Sequence, residues 1–587
     1  MDECMEKSMF PDDTELLDLC ARKGAELELR DGRLYVRANT LTQKERLHLR
    51  RHKFSLVRTL RRKHSARELA ASWAEWQRNP GASAIHEAPL TPYQEIFALL
   101  TSQGEHAIVN QVGVFELALP VADPGGRLVQ EALRSLMTRH PMLRARVVRK
   151  NEKGNGILFH NFSQSLSVLE IAPSCPLPVT IFQSGRESDR EADIEACRKA
   201  FRTSGYNLAR APLWRAAIFP HPQHRRSTLV LGLHHIIMDG WSMGLLASDL
   251  AHLLDCLSGK ETEDTLPPVT YPSFAAWLAQ KGLSHIKSHQ LAFWTDLVQS
   301  VPQCHRIRSD YVRGTMPKET GHGLCRVRIS AQVKEKVQRF AAARGCSLFA
   351  ALHTALRLLL YRVCGQTHAP ILTVAANRQL PGLERVVGCF VNVLPLVCPF
   401  NPHASMTENM RQSQDCLVQA LDHQMLPFQD IVAAAQVKRQ KARHPLSQIF
   451  LTLQNAFASG VHSAVTARLP EDPISAYDLA FVLWDYGEEG IVAHLEYDAS
   501  LYREEHAQAL LHAYVDCLCD LLLADSQGKP KNIANCRDSS PQKDVPLAQK
   551  LGQCLDLARY AAVILRDAGP FTDLVAKACD LCGCPCL

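Results

Sequence analysis

The sequence predicts a large α/β protein that follows a small N-terminal unit of α-β-β-α-α order. From Leu90 to about Leu523, apolar runs typical of buried strands alternate with helical patterns, as in large α/β proteins. Before them, residues 12–65 show the local signals of a hairpin set between short helices. Apolar residues make up 46% of the 587 residues and charged residues 21%, which excludes a largely disordered chain.

The hairpin is the clearest element of the N-terminal unit. Apolar and charged residues alternate over Ala25–Arg30 and Arg33–Arg37, on the two sides of Asp31-Gly32, a pair typical of tight hairpin turns. One helix is expected before the hairpin and two after it. The alternation predicts four inward-facing apolar residues: Leu27, Leu29, Leu34 and Val36.

The end of this unit is strongly basic. Between Lys44 and Lys63, nine lysine and arginine residues are opposed only by Glu45. Three interpretations fit such a cluster: a solvated helix face, a nucleic-acid patch, or a patch that receives an acidic peptide. A nucleic-acid partner is not predicted, because the element order is not that of a helix-turn-helix and no aromatic residues are interleaved for base stacking.

The remaining composition predicts a cytoplasmic protein without a membrane anchor. The acidic N-terminus lacks the basic-then-apolar order of a secretory signal, and no uncharged apolar run reaches the ~20 residues that span a bilayer. The strongest candidate, Leu348–Val363, contains Arg357 and Arg362. Twenty cysteines, mostly single, are typical of reduced thiols. No histidine follows the cluster Cys579–Cys586, and no metal site is predicted.

The stretch Thr228–Ser242 carries the candidate chemistry. An apolar run rich in leucine and valine predicts a buried strand that ends in His234 and His235. A turn with Asp239 and Gly240 follows, and a helix is expected from Met243 to Leu257 with Ser242 as its N-cap. Adjacent strand residues point to opposite faces, so the two histidines are not expected to bind one metal ion. One should face the packed interior and the other a cleft.

The pattern His-His-x-x-x-Asp-Gly resembles the signature of the acyltransferase superfamily that contains chloramphenicol acetyltransferase and the condensation domains of nonribosomal peptide synthetases. Relatives that catalyse heterocyclisation carry aspartates at the positions of the paired histidines, so the sequence does not match that class. Further segments are similar to condensation-domain motifs and follow the family's order: Leu90–Gln94, Arg139–Arg144, Tyr271–Trp277, Val387–Asn392 with Leu394-Pro395, His423–Phe428 and Arg443–Phe450.

This resemblance implies an α+β sandwich of two chloramphenicol-acetyltransferase-like lobes, which form a V around a central tunnel. The predicted boundaries are a linker at 66–88, an N-terminal lobe at 89–265, a C-terminal lobe at 266–525 and a tail of unknown role at 526–587. The implied reaction forms an amide bond between a carrier-bound acyl or peptidyl thioester and an amino acceptor. No cofactor is expected on the chain itself, since both substrates would arrive on the 4'-phosphopantetheine of partner carrier proteins.

The resemblance also implies roles for single residues. His235 would take a proton from the attacking amine or orient it, and the Gly240 N–H would donate to the developing oxyanion. Asp239 would hold the loop by pairing with Arg378. Supporting positions are His234, Trp241, Arg144 and Asn392.

The N-terminal unit resembles docking domains of the TubC type, which begin certain synthetase subunits. The resemblance implies that the hairpin captures the acidic C-terminal tail of an upstream subunit by adding a strand. The residues expected to contact that partner are Arg30, Arg33, Tyr35 and Arg37.

The sequence departs from the family pattern at Val393, where a small polar residue is usual, and at Ser273, where an acidic residue is common. It shows no adenylating-domain loop and no carrier motif, so both substrates are expected from partners, or the acceptor is a free amine. The alternatives are a chain-releasing transferase onto a free amine or alcohol, and a catalytically silent scaffold that recruits partner subunits.

Overall fold

The computed structural model describes the chain mainly over residues 25–37, 66–79, 85–149, 167–182, 187–259, 267–299, 305–315, 321–436, 446–454, 465–468 and 477–523, with single positions left out inside these ranges. The predicted tail 526–587 with its cysteine cluster, and most of the helices predicted around the N-terminal hairpin, lie outside the described residues.

The first part of the chain alternates strands and helices as the sequence predicts. A helix over residues 66–77 is named α1. The strands are β1 (Glu26–Arg30), β2 (Arg33–Arg37), β3 (Glu87–Pro89), β4 (Asn110–Ala118), β5 (Ala145–Arg149), β6 (Ser167–Ile171), β7 (Val179–Ile181), β8 (Trp214–His221) and β9 (Arg226–His234). The further helices are α2 (Pro92–Ser102), α3 (His106–Val109), α4 (Arg127–Arg139), α5 (Glu187–Thr203) and α6 (Gly240–Leu257).

The second part continues the alternation. Its helices are α7 (Tyr271–Trp277), α8 (Leu283–Val298), α9 (Ala331–Ala342), α10 (Leu348–Cys364), α11 (Met406–Asp422), α12 (Phe428–Ala434) and α13 (Glu504–Leu523). Its strands are β10 (His322–Ile329), β11 (Ile371–Ala375), β12 (Asn392–Leu396), β13 (Ile449–Gln454), β14 (Val465–Ala467), β15 (Leu479–Asp485) and β16 (Ile491–Asp498). One π-helical turn over Leu278–Gly282 joins α7 to α8.

Strand β9 lies at the centre of a five-stranded sheet of order β14-β4-β9-β8-β7. It pairs antiparallel with β4 along its whole length, from Arg226 opposite Ala118 to His234 opposite Asn110. Leu231 and its alternate neighbours enter the main core, and Val230 packs against α5 on the other face. Helices cover both faces, which explains why the strand is apolar without alternation. A smaller sheet of order β3-β6-β5 lies beside it.

The second part folds around a six-stranded mixed sheet of order β10-β16-β15-β13-β11-β12. The parallel pairs are β11 with β13 and β13 with β15. One face packs against α10 and α13, where Leu451, Phe481 and Leu495 meet Leu356 and Tyr514 in a second core. This sheet and the five-stranded sheet are the principal layers of the two lobes that the resemblance implies.

One strand crosses between the halves. β14 comes from the second half of the chain, yet it pairs antiparallel with β4 of the first half, with Thr466 opposite Glu116. Directly after β14, Arg468 forms ion pairs with Glu116 (2.5 Å) and Glu191. The main core is continuous as well, since Leu231 shares an apolar cluster with Leu394. The predicted division at 265/266 therefore marks a change of sheet and not a break in the core.

The segment 66–88, predicted as a linker, begins with a packed helix. Leu69, Trp73 and Trp76 lie four and three residues apart and form one apolar stripe along α1. The Trp73 side chain is fully buried in the main core, and Leu69 is buried beside it. The sequence predicts a helical-to-irregular linker here; residues 66–77 are helical, and the burial of Leu69 and Trp73 makes this helix part of the packed core, which the prediction did not include.

The N-terminal hairpin has the predicted register. Leu27 lies opposite Val36 and Leu29 opposite Leu34, so the four predicted apolar residues share one face of the hairpin. The other face groups Arg30 opposite Arg33, Tyr35 opposite Glu28, and Arg37 opposite Glu26. The four residues predicted to contact a partner therefore belong to one face.

The apolar run Leu348–Val363 forms helix α10, which is buried along most of its length. Arg357 is 3% exposed. Its guanidinium donates to the carbonyls of Cys398 (3.0 Å), Pro399 and Asn409 (2.8 Å) and to the Ser413 hydroxyl (2.7 Å). Among the described helices, none is long and apolar enough to cross a membrane.

We predict that Arg357→Leu lowers the free energy of unfolding by at least about 2 kcal/mol, since the buried carbonyls of Cys398 and Asn409 and the buried Ser413 hydroxyl lose their donor. Arg362→Leu on the same helix is the matched control. That side chain is 34% exposed and pairs with Asp520 at 2.6 Å, so its loss should cost less than about 1 kcal/mol. Urea denaturation measures both values. An unchanged or raised free energy for Arg357→Leu would show that relief from burying the charge outweighs the lost hydrogen bonds.

Candidate active site

The two histidines stand where strand β9 ends. His234 is the last residue of the strand, and His235 begins a single 3-10 turn over His235–Ile237. The side chain of His234 is fully buried, whereas that of His235 is partly exposed. The strand therefore ends with one imidazole in the packed interior, and the next residue, in the turn that follows, is partly exposed.

His234 is held as a neutral ring by two hydrogen bonds. Its Nδ1 accepts from the Ile236 N–H (3.1 Å), and its Nε2 lies 2.8 Å from the Thr101 Oγ1. The Thr101 hydroxyl donates to the Phe97 carbonyl (2.6 Å), so the Nε2 must carry the proton. Burial, together with His235 and His106, lowers the pKa of His234 to about 3. This arrangement supports the fold of the loop and leaves no free nitrogen for substrate.

His235 lies against α2 and keeps a nitrogen unpaired. Its ring stacks on the Phe97 ring, with centroids 4.3 Å apart and planes 20° from parallel. Within the described part of the chain, its Nδ1 is buried without a hydrogen-bond partner. Burial lowers the pKa of His235, and the backbone of His235 and Met238 together with the Asp239 carboxylate opposes this only in part. The imidazole is therefore neutral at pH 7 and able to accept a proton.

Asp239 caps helix α6. Its Oδ1 accepts from the Ser242 N–H (2.8 Å) and the Ser242 hydroxyl (2.7 Å), and the helix begins at Gly240. The prediction that Ser242 caps a helix from Met243 is wrong by three residues. Asp and Ser are both favoured caps, and the tertiary contacts of the carboxylate decide between them.

Arg378 forms the ion pair with Asp239 that was expected. Its Nη2 lies 2.9 Å from Oδ1 and 3.1 Å from Oδ2, and both side chains are almost completely buried. The guanidinium also donates to the Leu383 carbonyl (2.7 Å) and lies 4.2 Å from the centre of the Phe390 ring. The Phe390 N–H donates to Oδ2 (3.0 Å). This cluster joins the histidine loop of the first half to residues 378–390 of the second.

Two of the other motif segments reach the same loop. Gln94 on α2 donates from its Nε2 to the Ile236 carbonyl (2.7 Å). The Thr91 hydroxyl, at the start of that helix, lies 3.1 Å from the Tyr271 hydroxyl, which donates to the Cys389 carbonyl (2.8 Å). Residues far apart in sequence thus surround the turn that contains His235 and Asp239.

Gly240 borders an open space between the halves. A Cβ at this position would meet only the Gln454 Oε1 of β13, at an ordinary contact distance of 3.8 Å. The Gly240 N–H belongs to the first turn of α6, where no carbonyl of the helix accepts it. The neighbouring Trp241 side chain is 45% exposed and donates from Nε1 to the Glu384 carbonyl (2.9 Å).

Arg144 and Asn392 support segments away from the histidines. Arg144 donates to the carbonyls of Met137 (2.7 Å) and Thr138 (3.3 Å) at the end of α4. Asn392 donates to the carbonyls of Gln424 (2.7 Å) and Leu426 (2.6 Å). Both side chains satisfy backbone groups of neighbouring segments, so neither is placed beside His235.

The two departures from the family pattern are both buried. The Ser273 hydroxyl accepts from the Trp76 Nε1 at 3.1 Å, so its partner is helix α1. Val393 is a residue of β12 and packs in the main core. Neither side chain belongs to the cluster around His235 and Asp239.

Sequence reasoning missed the face of α2 that supports the histidines. Gln94, Phe97 and Thr101 contact Ile236, His235 and His234, respectively. Their spacing of three and four residues places them on one face of the helix, and this signal could have identified them. Gln454, opposite Gly240, was missed because only the fold brings β13 to the loop. Within the described residues, no group of His, Cys, Asp or Glu side chains could hold a metal ion.

Comparison with known proteins places these motifs in one family. The family model described as "Condensation domain" matches residues 84–534, about three quarters of the chain. The match covers every motif segment named above and begins after helix α1.

The Dimodular nonribosomal peptide synthase of Bacillus subtilis is 30% identical over 432 residues, which are 71% of this chain and 17% of that protein. Nonribosomal peptide synthetase 30 of Fusarium vanettenii is 25% identical over 66% of this chain and 6% of its own length. The chain thus spans less than a fifth of these relatives.

Among solved structures, a four-domain nonribosomal peptide synthetase bound to AMP and glycine matches with a TM-score of 0.62 at 20% identity. The match covers 76% of this chain and 33% of that one. The X-domain from teicoplanin biosynthesis matches with a TM-score of 0.61 at 22% identity, over 74% of this chain and 95% of its own. At these identities the likeness establishes the fold.

We predict that Asp239→Asn lowers the free energy of unfolding by about 3–5 kcal/mol, since it leaves the Arg378 guanidinium buried without a counter-charge. Asp249→Asn, the same change further along α6, is the control. Asp249 pairs with Arg139 and His140 but is 19% exposed, so the expected loss is about 1 kcal/mol. Urea denaturation measures the free energy of unfolding of both variants. Equal decreases would contradict the prediction that the buried Asp239–Arg378 pair stabilises the fold more than the Asp249 pair does.

Proposed function

The chain belongs to the condensation-domain family, and from that premise we propose that it forms an amide bond between an acyl or peptidyl thioester and an amino group. The observation that carries the proposal is the position of His235. This partly exposed imidazole, which burial keeps neutral, stacks on Phe97 where a buried strand ends; five residues later the exposed Gly240 begins helix α6, and its N–H has no acceptor within the helix. A proton acceptor and a donor for an oxyanion are the two groups that acyl transfer from a thioester requires.

The proposed reaction proceeds through a tetrahedral intermediate. The amine nitrogen attacks the thioester carbonyl, so that a C–N bond forms and the carbonyl oxygen becomes an oxyanion, to which the Gly240 N–H donates. The amine loses a proton to the imidazole of His235. The intermediate then collapses, the C–S bond breaks, and the imidazole returns the proton to the departing thiolate. The products are the amide and a free thiol.

Asp239 and Arg378 act in this proposal without touching substrate. Their ion pair places Gly240 at the first turn of α6, with its N–H directed away from the helix carbonyls. His234 supports the same loop from the interior through Thr101 and the Ile236 N–H. These are positioning residues, and their loss should impair amide formation through the geometry of the loop.

We propose that both substrates are delivered on the 4'-phosphopantetheine arms of carrier proteins. The two relatives named above are nonribosomal peptide synthetases, which supports thioester substrates for this chain. We place the reaction in the cytoplasm, since none of the described cysteines forms a disulfide, including the buried Cys325, Cys389 and Cys517.

We further propose that the N-terminal hairpin receives the acidic tail of an upstream subunit. The register groups Arg30, Arg33, Tyr35 and Arg37 on one face, opposite the leucine-rich face. An added strand would obtain main-chain hydrogen bonds from the hairpin edge, and the arginines would favour an acidic sequence. Strand addition of this kind explains how one small unit can select its partner by charge.

We expect a donor acyl-carrier mixed with an acceptor-loaded carrier to yield an acceptor carrier that is heavier by the acyl mass. His235→Ala should slow this transfer by about 10²–10⁴-fold, the range for loss of a general base. His403→Ala, at an exposed histidine on the second half, is the control and should leave the rate unchanged. Intact-mass spectrometry of both carriers measures the transfer.

Other outcomes of this experiment contradict parts of the proposal. A donor that empties only when a free amine or alcohol is added would indicate a chain-releasing transferase. No transfer under any condition, with carriers still bound, would indicate a scaffold. A His235→Ala rate equal to that of the wild type would show that a group other than His235 accepts the proton of the amine.

The pH dependence tests the protonation state of His235. Because burial lowers the pKa of this imidazole below its ordinary value of 6.5, the ring stays neutral as pH falls to 6.5 and gains a proton only below it. With substrate amine in saturating excess, we expect the single-turnover rate to have no His235-dependent fall above pH 6.5. An acidic limb centred above pH 7 in the wild type, and absent from His235→Ala, would contradict a neutral imidazole, since a limb common to both proteins comes from the substrate amine.

We predict that Arg33→Glu/Arg37→Glu weakens binding of an acidic peptide at least about tenfold, because like charges replace the attraction. The probe is a synthetic peptide that alternates valine with aspartate and glutamate. Arg326→Glu/Arg328→Glu, at alternate positions of β10, changes the net charge equally and is the control. Fluorescence anisotropy in low and high salt measures both. The same loss of peptide affinity in both double variants would contradict docking at the hairpin. Binding of a DNA duplex as tightly as the acidic peptide would also contradict it.

A further inference from the structure

Helix α1 stands outside the residues that the family model matches, yet it is built into the catalytic body. The match begins at residue 84, and α1 spans 66–77. Its Trp73 side chain has no exposed surface and lies in the same core as Phe274 and Phe390. A helix that only connected two domains would leave its largest side chain at the surface.

Trp73 contacts the segment that carries Arg378. Its Nε1 donates to the Pro381 carbonyl at 3.0 Å, and Gln77, one helical turn later, donates to the same oxygen at 3.4 Å. Pro381 lies between β11 and β12, three residues after Arg378. The same segment supplies the carbonyl of Leu383 to Arg378 and that of Glu384 to Trp241.

A second route from Trp73 reaches the ion pair through aromatic rings. The Trp73 ring lies edge-on to Phe274, with centroids 6.3 Å apart. Phe274 contacts Phe390 at 4.9 Å, and the Arg378 guanidinium lies 4.2 Å from the Phe390 centroid. The Phe390 N–H donates to Asp239. The ring contacts therefore end on the Asp239–Arg378 pair, and the hydrogen bond ends on Pro381, three residues after Arg378.

We propose that Trp73 is a positioning residue for the reaction: through Pro381 and Phe390 it holds residues 378–390, and with them the Asp239–Arg378 pair that places Gly240. The proposal rests on the proposed amide-forming function. It assigns α1 to the catalytic body, although this helix precedes the part that defines the family.

The same helix offers a matched control. Trp76 donates from its Nε1 to the Ser273 hydroxyl at 3.1 Å, and Glu75 and Glu68 pair with Lys281 and His289. These contacts end on α7, on α8 and on the turn between them, and not on residues 378–390. Trp76→Phe therefore removes one indole hydrogen bond from α1 without touching the segment that carries Arg378.

The first test is hydrogen exchange on the full-length chain. Trp73→Phe keeps an aromatic ring in the core and removes the bond to Pro381, so exchange over residues 379–391 should accelerate at least about threefold. Trp76→Phe should leave that segment as in the wild type. If Trp73→Phe does not fold, Gln77→Ala removes the weaker bond to the same carbonyl and should give a smaller acceleration there. Unchanged exchange over 379–391 in both Trp73→Phe and Gln77→Ala would overturn the proposal.

The second test uses the carrier assay. The kcat for amide formation should fall about fivefold in Trp73→Phe, the equivalent of one hydrogen bond, with the KM for the acceptor carrier unchanged. Trp76→Phe should remain within about twofold of the wild type. A change in KM alone, or equal effects of the two variants, would assign Trp73 a purely structural role. If the wild type forms no amide but Trp73→Phe still accelerates exchange over residues 379–391, the proposed amide-forming function is contradicted. The role of Trp73 in holding residues 378–390 is then still supported.

Discussion

The buried ion pair between Asp239 and Arg378 is the constraint on which the candidate site depends. Burying a carboxylate and a guanidinium is costly unless the two charges are paired and further hydrogen bonds support them. Here both carboxylate oxygens are shared among Ser242, Arg378 and the Phe390 N–H. A shift of either half would break several of these bonds together. The loop with His235 and Gly240 is therefore held in one arrangement, although its partners come from distant parts of the chain.

Burial acts differently on the two histidines. His234 has both nitrogens bonded, and its pKa of about 3 keeps it neutral at pH 7. His235 is kept neutral by burial too, but its Nδ1 has no partner among the described residues. Stacking on Phe97 orients the ring without occupying a nitrogen. Two adjacent histidines thus differ in role: His234 supports the loop, and His235 is the group that we propose to take part in the reaction.

The sequence predicted much of the local structure, since local signals specify it. The hairpin register and the strand that ends in His234 follow from alternation, apolar runs and turn residues, whereas the order of the motifs was recognised only through the family resemblance. The Asp239–Arg378 pair spans 139 residues and was predictable only through the family resemblance. The start of α6 was misplaced because Asp239 and Ser242 are equally good caps in isolation. Gln454 was missed because only the tertiary fold brings β13 to Gly240.

Helix α1 also has a consequence for how such chains are divided and recombined. A cut at residue 84, where the family similarity begins, would remove Trp73 from the core and leave the Pro381 carbonyl and the Ser273 hydroxyl without their donors. The packed part of the chain therefore includes helix α1, which begins at residue 66. Chimeras that exchange the N-terminal unit should therefore be joined upstream of helix α1. Each condensation domain then keeps the helix that packs against its own core.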